Sequence, residues 1–573
     1  MTDEAAPAPS ALPDPRWGVW ALAIALLALA ASATSLRNGF TYDDRWILVE
    51  NARVHSVRAL WHYFTETYWP MKSGAALYRP FAILGYSVQW VVGGGSPLLF
   101  HLVNVLLAVA CSVTVFWVAG FLVTPGVAWL AAALFAVHPV HVEAIANVVG
   151  QAELWAALIV LLAFGLYARD RREGTLRRET GVIIWFLFFV GLFTKEHVIV
   201  LPALLVAAEV LWYRDATVWR RLRRLRLLLW PMVIVIAAYL VVRVQVTGGV
   251  AGDVEHPSLQ HQSMVGRFFI MFDVFPEYAR LLLWPARLYA DYSPRQLIVH
   301  AVPNPSQLAG ALLLACTTIL FAISVQRARV VAFGIAWFVL FVGPVSNVLL
   351  ATGILLAERT LYLPSVGAVV VLAFGVDLMW KRLRADGSVL RPVVPLLCVL
   401  LLGLGVWRSS TRNAFWHDTD SAFAQMVDES PLNFKAHYAL GGQLFERHRA
   451  KEAELEWLMA IALMPEYHGV YMDLALKYRE AHLCPAALPL YQHALAIDPD
   501  LPIAQISIAA CQLEMAQWRR ARTTARVAIG SGFYRRAFQF IIDRADSALV
   551  ARDSLDPTIG AKWLARGAMA AKR

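Results

Sequence analysis

Between Trp17 and Trp407 one apolar run follows another, separated by short connections rich in arginine. A hydrocarbon core about 30 Å thick takes about 20 apolar residues per helix, so this stretch has room for about eleven spans. The expected fold is all-α: a polytopic membrane helical bundle. Composition agrees. The chain is 59% hydrophobic and 16% charged, where soluble domains carry roughly 25% charged residues, and its mean hydropathy is +0.54. A plain soluble enzyme, a disordered chain and a secreted disulfide scaffold are excluded.

Arg/Lys-rich short loops mark the cytoplasmic side. Such clusters lie at Arg169–Arg178, Arg214–Arg226, Arg327 with Arg329, and Lys381–Arg391. With these inside, the spans read in order as 17–36, 98–123, 127–137, 154–168, 182–194, 198–212, 227–246, 308–325, 330–350, 361–380 and 393–407. Every basic cluster then falls on one side. Segments 38–96, 138–153 and 247–305 lie outside, and the last span delivers the C-terminal region outside as well. Residues 1–16 read as a disordered Ala/Pro-rich tail. The run from Trp17 to Leu36 is long enough to be a retained anchor rather than a cleaved signal.

The net charge of +10 clusters beside apolar spans, where topology explains it, so no nucleic-acid partner is expected. Cys111, Cys316 and Cys398 lie in apolar runs. Cys484 and Cys511 lie in the C-terminal part without a CxxC or ligand spacing, so neither a disulfide framework nor a zinc site is read.

Beyond Arg408 the pattern changes. Pro431, Pro465 and Pro499 recur every 34 residues, as do Ala453, Ala487 and Ala521, and Ala460, Ala494 and Ala528. Small residues at a 34-residue period of helix pairs are the tetratricopeptide signature. The expected organisation is a membrane domain over 17–407, a linker with a first helix over 408–430, repeats over 431–534, and a capping helix with a tail over 535–573. Such a solenoid offers a concave surface for an extended peptide or a partner helix.

Candidate chemistry lies in the outside segments. Asp43 and Asp44 follow the first span; one carboxylate can take a proton from an attacking hydroxyl while the other, Asp44, binds a divalent cation such as Mg or Mn. The alternative is a solvated acidic pair capping a helix. Arg79 can grip a phosphate through its planar fork or snorkel to headgroups. His101 and Asn104, one turn apart, fit packing between helices or a substrate role. His138, His141 and Glu143 form a possible metal or acid–base set, although Pro139 interrupts their helix and no third ligand is evident. Glu153 stands at the mouth of the fourth span. Lys195 either pairs with a glutamate or binds phosphate. Asp273–Pro294 reads as a Pro-bounded re-entrant or interfacial helix. Arg359, with Glu358 and Tyr362 beside it, is a second phosphate anchor. No Walker loop, GxGxxG, HExxH or GxSxG stands in a fitting context, so no nucleotide cofactor is expected.

These strings converge. FTYDDRWILVEN, YRPF, FHLVNVLLA, LFAVHPVHVEAIANVVGQAELWAAL, FTKEHVIVLPAL, LLLWPARLYADYSP and GPVSNVLLATGILLAERTLYLPSVG occur in this order, with the repeats last. The chain thereby resembles the transmembrane, tetratricopeptide-repeat O-mannosyltransferases of eukaryotic secretory membranes, from about Asn38 to about Phe533. The resemblance implies a C-type glycosyltransferase fold and transfer of a hexose from a polyprenyl-phosphate donor to Ser or Thr of exported proteins at the extracytoplasmic face. It implies Asp43 or Asp44 as catalytic base or metal-site residue. By charge and location, Arg79, Lys195, Arg359 and Tyr362 are expected at the lipid phosphate, with His138, His141, Glu143 and Glu153 in support. The acceptor polypeptide is expected on the repeats. Departures from the family are Gln151 in place of an arginine, Ala108 in place of a histidine, Val142 in place of a threonine, and a short array of about three repeats. The Ala-, Arg- and Leu-rich style points to a bacterial inner membrane. Two other readings stay open: a lipid-linked sugar transporter, which needs mid-bilayer ionisable groups and internal repeats, and a non-catalytic membrane scaffold for envelope assembly.

Overall fold

A computed structural model describes residues 16–58, 60–70, 77–249, 257–259, 262–292, 296–300, 304–352, 354–529 and 534–553. The tail read as disordered, the end of the Asp273–Pro294 stretch and residues beyond 553 lie outside the described residues. The chain divides into two units, Met1–Gln425 and Met426–Arg573. Among the described residues all regular structure is helical, as expected where lipid offers backbone groups no hydrogen-bond partner.

The first unit contains α1 (Trp17–Ser32), α2 (Pro80–Gly93), α3 (Pro97–Ala119), α4 (Pro125–Val137), α5 (Val142–Ala146), α6 (Gln151–Arg172), α7 (Arg178–Thr194), α8 (Leu201–Ala207) and α9 (Val218–Thr247). It continues with α10 (Met264–Ile270), α11 (Phe275–Leu283), α12 (Pro305–Arg327), α13 (Arg329–Val342), α14 (Ser365–Ala385) and α15 (Val393–Arg412); α16 (Thr419–Glu429) straddles the boundary between the units. Among the described residues, 6 helices are long and apolar enough to cross a membrane, or up to 7 if α4 and the helical turns after it, bent by 50°, count as one span. This is a multi-pass membrane protein. The other runs read as spans fall on α7, α8, α13 and α14, which are shorter or carry charge at their ends.

Two elements differ from the sequence reading. α2 lies within the segment read as an outside loop; Pro80 opens it and Gly94, at φ +59°, closes it. The Asp273–Pro294 stretch holds only the short α11, which stops at Leu283 because Trp284 precedes Pro285, and a residue before proline avoids helical geometry.

α6 is the central post: 78% of its most apolar window is buried, against 11% for α12. Around it, small residues let helices close up. Ala128, Ala131, Ala132 and Ala133 of α4 are fully covered, and Gly165 of α6 sits where a Cβ would meet the Trp117 ring at 2.1 Å. At one end of the bundle the basic loops meet. Arg171 pairs with Glu209 at 2.6 Å and Asp215 at 2.8 Å, and Arg214 donates to the Val325 carbonyl at 2.8 Å. Elsewhere the end of α1 is stitched to the end of α15. Thr34 Oγ1 donates to Ser410 O, Asn38 Nδ2 to Asn413 O, Gly39 N to His417 O and Thr41 Oγ1 to Trp416 O, all between 2.7 and 3.0 Å.

The second unit contains α17 (Phe434–Glu446), α18 (Ala450–Leu463), α19 (His468–Glu480), α20 (Cys484–Ile497), α21 (Pro502–Glu514), α22 (Trp518–Ala528) and α23 (Arg535–Asp553). Helices start at 434, 468 and 502, and their partners at 450, 484 and 518, a spacing of 34 in both series. The turn inside each pair carries a left-handed residue in the same register: His448 at φ +59°, His482 at φ +60° and Ala516 at φ +56°. A non-glycine residue there costs roughly 1–2 kcal/mol, partly offset by the extra unfolded-state entropy of glycine. Ala516→Gly is therefore expected to stabilise this unit by roughly 1 kcal/mol, read as a higher thermal midpoint; a lower midpoint would mean that the turn is not strained.

Candidate active site

The acidic pair sits on the loop that α1 feeds and α15 straps down. Asp44 is not solvated: its exposure is 0%. Its carboxylate accepts from Thr41 N at 3.0 Å, Val148 N at 3.3 Å and Val149 N at 2.9 Å. The first bond closes its own turn; the others fasten that turn to the 147–151 turn ahead of α6. Asn104 of α3 holds the second turn from behind, donating to the carbonyls of Ile145 at 3.0 Å and Asn147 at 3.2 Å. Gln151 donates to Asn104 Oδ1 at 2.7 Å and exchanges amide bonds with Gln89 of α2. Tyr86, also on α2, donates to Val149 O at 3.0 Å. His101 pairs with Gly39 O at 3.1 Å. Burial, reinforced by Asp43, pushes the Asp44 carboxyl up to about 7 against the pull of its three donors.

Between the strap and Asp44, Tyr42 is held at φ +58°, a conformation costly for a bulky residue. Its ring lies against Trp416 and Phe423. Asp43 follows, half-buried. The charges of Asp291, Asp43, Arg359 and Glu143 all act on the Tyr42 phenol, which burial, aided by Asp291 and Asp43, keeps neutral.

Arg359 is ion-paired to buried Glu143, whose Oε2 also accepts from Arg359 N at 2.8 Å. Burial opposes its charge, but Glu143, Asp43 and Glu153 together hold the guanidinium protonated. Arg79 meets Glu196 at 2.9 Å and stands over Tyr68. Arg243 of α9 grips the same Glu196 at 3.1 Å. Burial would raise Glu196, yet Arg79 and Arg243 bring it down to about 2. Lys195 pairs with Glu153 at 2.6 Å rather than with its neighbour Glu196, and His197 meets Glu153 at 3.1 Å. Burial lowers the Lys195 ammonium to about 8. Glu153 acts on both Arg79 and Arg359, so the expected cations Arg79, Lys195 and Arg359 share one electrostatic neighbourhood with Asp43.

Other expected residues have different work. Tyr362 is 1% exposed, packed between Phe135 and His141 with its hydroxyl towards Cys111. It is a core residue, not a phosphate ligand. His138 bonds Leu282 O at 3.0 Å and His141 bonds Ser365 Oγ at 2.9 Å. Among the described residues no group of three His, Cys, Asp or Glu is placed to hold a metal ion. Asp44, expected as a metal ligand, already spends both oxygens on backbone donors. This set of side chains does not fit a cation.

Tyr42, Gln89, Asn147 and Arg243 were not singled out in the sequence. Gln89 and Arg243 carried a signal, as polar side chains within apolar helices. Glu358, paired with Tyr289 N at 2.6 Å and Tyr292 Oη at 2.9 Å, completes the site's rim; burial, with Glu143, raises it to about 8.

No family model matches the chain. It is similar to the protein O-mannosyl-transferase TMTC4 of Homo sapiens, with 28% identity over 491 residues, covering 77% of this chain and 65% of that one. Tmtc1 of Drosophila melanogaster, also named a protein O-mannosyl-transferase, is 28% identical over 541 residues, covering 78% and 62%. TMTC3 of Mus musculus is 25% identical over 568 residues, covering 85% and 61%. These homologues bear the name of the family that the motifs resemble, and the chain spans less than two thirds of their length. Among solved structures it is similar to the archaeal oligosaccharyltransferase AglB from Archaeoglobus fulgidus in complex with an inhibitory peptide and a dolichol-phosphate. Identity there is 14% and the TM-score 0.40, covering 74% of this chain and 60% of that one.

The raised Asp44 carboxyl has a measurable consequence. Folded, it binds its proton near pH 7; unfolded, near the ordinary value of about 3.9. Between those values the folded state holds more protons, so this group's stabilising contribution is full below about pH 4 and lost as pH rises through about 7. Over that range the thermal midpoint of the wild type should fall more than that of Asp44→Asn. Parallel curves would show that Asp44 titrates alike in both states.

Proposed function

We propose that this protein is a membrane glycosyltransferase that moves a hexose, mannose by similarity to its named relatives, from a polyprenyl-phosphate donor to Ser or Thr of exported polypeptides. Asp43 is the general base. The observation that carries this reading is the pinned acidic turn. Asp44 holds that turn, and Asp43, next to it in the chain, acts electrostatically on Arg359. The two carboxylates thus divide into a positioning residue and a reacting one.

The acceptor hydroxyl gives its proton to Asp43 while its oxygen attacks the anomeric carbon. The bond from that carbon to the phosphate oxygen breaks, and the lipid phosphate leaves with the electron pair. Arg79, Lys195 and Arg359 supply positive charge for the departing phosphate, held in place beforehand by Glu196, Glu153 and Glu143. Charge held in position before the reaction costs no reorganisation when the leaving group develops its own. The second unit, read as a tetratricopeptide-type solenoid, holds the acceptor polypeptide on the extracytoplasmic side of a bacterial inner membrane. Its 34-residue helix spacing supports this role.

The test is sugar transfer from a polyprenyl-phosphate hexose to peptide acceptors by the purified full chain. Asp43→Asn should lower the rate by about 10²–10⁴-fold, the usual worth of a general base, at unchanged yield and thermal midpoint. Full activity in that variant removes Asp43 from the reaction. Wild-type protein that relocates the lipid-linked sugar without glycosylating any peptide is a transporter instead.

A further inference from the structure

The two cysteines of the second unit meet. Cys484 opens α20 and Cys511 lies in the third turn of α21, 27 residues on, and their sulfurs are 2.7 Å apart. Both side chains are buried, at 2% and 0% exposure. Around them are Ala475, Ala487, Tyr491 and Ile508, with Glu514 Oε2 at 3.2 Å from Cys484. The remaining cysteines, Cys111, Cys316 and Cys398, belong to α3, α12 and α15 of the membrane unit.

We propose that Cys484 and Cys511 form a structural disulfide that ties the second helix pair of the repeat unit to the third. The inference rests on the extracytoplasmic placement of that unit given above, because disulfides persist in oxidising compartments. In the reaction two S–H bonds break and one S–S bond forms. Two electrons, and by way of solvent two protons, pass to the disulfide of a thiol–disulfide oxidoreductase, which departs as a dithiol.

The surroundings favour a permanent bond over a working redox pair. Exchange needs a thiolate within reach of its partner. Here burial raises both thiols, with Glu514 adding to it, and no attacking group can reach them in the folded unit. Oxidation therefore occurs during folding, before α20 and α21 close over the sulfurs, and reductants are afterwards excluded. The bond crosses between successive helix pairs, where a solenoid has only nearest-neighbour contacts to hold it together.

The experiment uses the full chain in intact cells. Cells are quenched in acid, the protein is denatured and free thiols are blocked with N-ethylmaleimide; after reduction a second, mass-distinct maleimide is added and peptides are weighed. The expected result is the first label on Cys111, Cys316 and Cys398 and the second label on Cys484 and Cys511. Cys484→Ser should return Cys511 to the first label. A parallel variant, Val527→Cys, at a position 83% exposed on α22, is treated with a membrane-impermeant maleimide. Labelling of Val527→Cys from outside, with Cys484 and Cys511 both in the first class, overturns the disulfide and leaves the topology standing. Labelling of Val527→Cys only after lysis, with the pair reduced, overturns the topology and the disulfide with it.

Discussion

One carboxylate organises the connections between helices in this membrane unit. Asp44 reaches across from the loop after α1 to the turn before α6 and takes backbone N–H groups from both. A buried carboxylate is tolerable only when its lone pairs are met, and here the partners are main chain, which cannot rotate away. The acidic turn and the central helix are thereby one rigid piece. Behind it a layer of amides on α2, α3 and α6 (Gln89, Asn104 and Gln151) keeps the second turn in register. Truncating a member of such a layer strands its partners, typically at about 1–3 kcal/mol each.

Around that piece several charges are met by a counter-charge from another element. Arg359 answers Glu143, Lys195 answers Glu153, and Arg79 and Arg243 converge on Glu196. Pairs of this kind add little net stability once desolvation is counted. What they do supply is a set of cations held at fixed positions in one electrostatic neighbourhood with Asp43.

Much of this was legible from residues alone. Apolar runs announced the helices, and a period of 34 announced helix pairs whose starts recur with that spacing. The acidic pair, the arginines and Glu143 stood out as polar groups in outer loops. What stayed hidden depended on tertiary contact. The sequence offers Lys195 a glutamate next door, yet packing gives it Glu153, 42 positions away in sequence. Tyr362 looked interfacial because arginine and glutamate precede it, but helical turns there swing its ring into the core. α2, with 14 residues, is too short to announce itself as a span. The left-handed Tyr42 had no sequence signal, since that conformation is ordinarily left to glycine.

The strap between residues 34–41 and 410–417 joins positions about 375 apart. A ribosome therefore completes the acidic loop long before it makes the segment that holds it. Until the last membrane helix is made, the 34–41 segment lacks the partners at 410–417 that it bonds in the finished fold, although Asp44 can already reach the turn before α6. The loop that carries the acidic pair is thus tied down at its base only by the last stretch of the membrane unit to be made, and a prematurely ended chain lacks that tie.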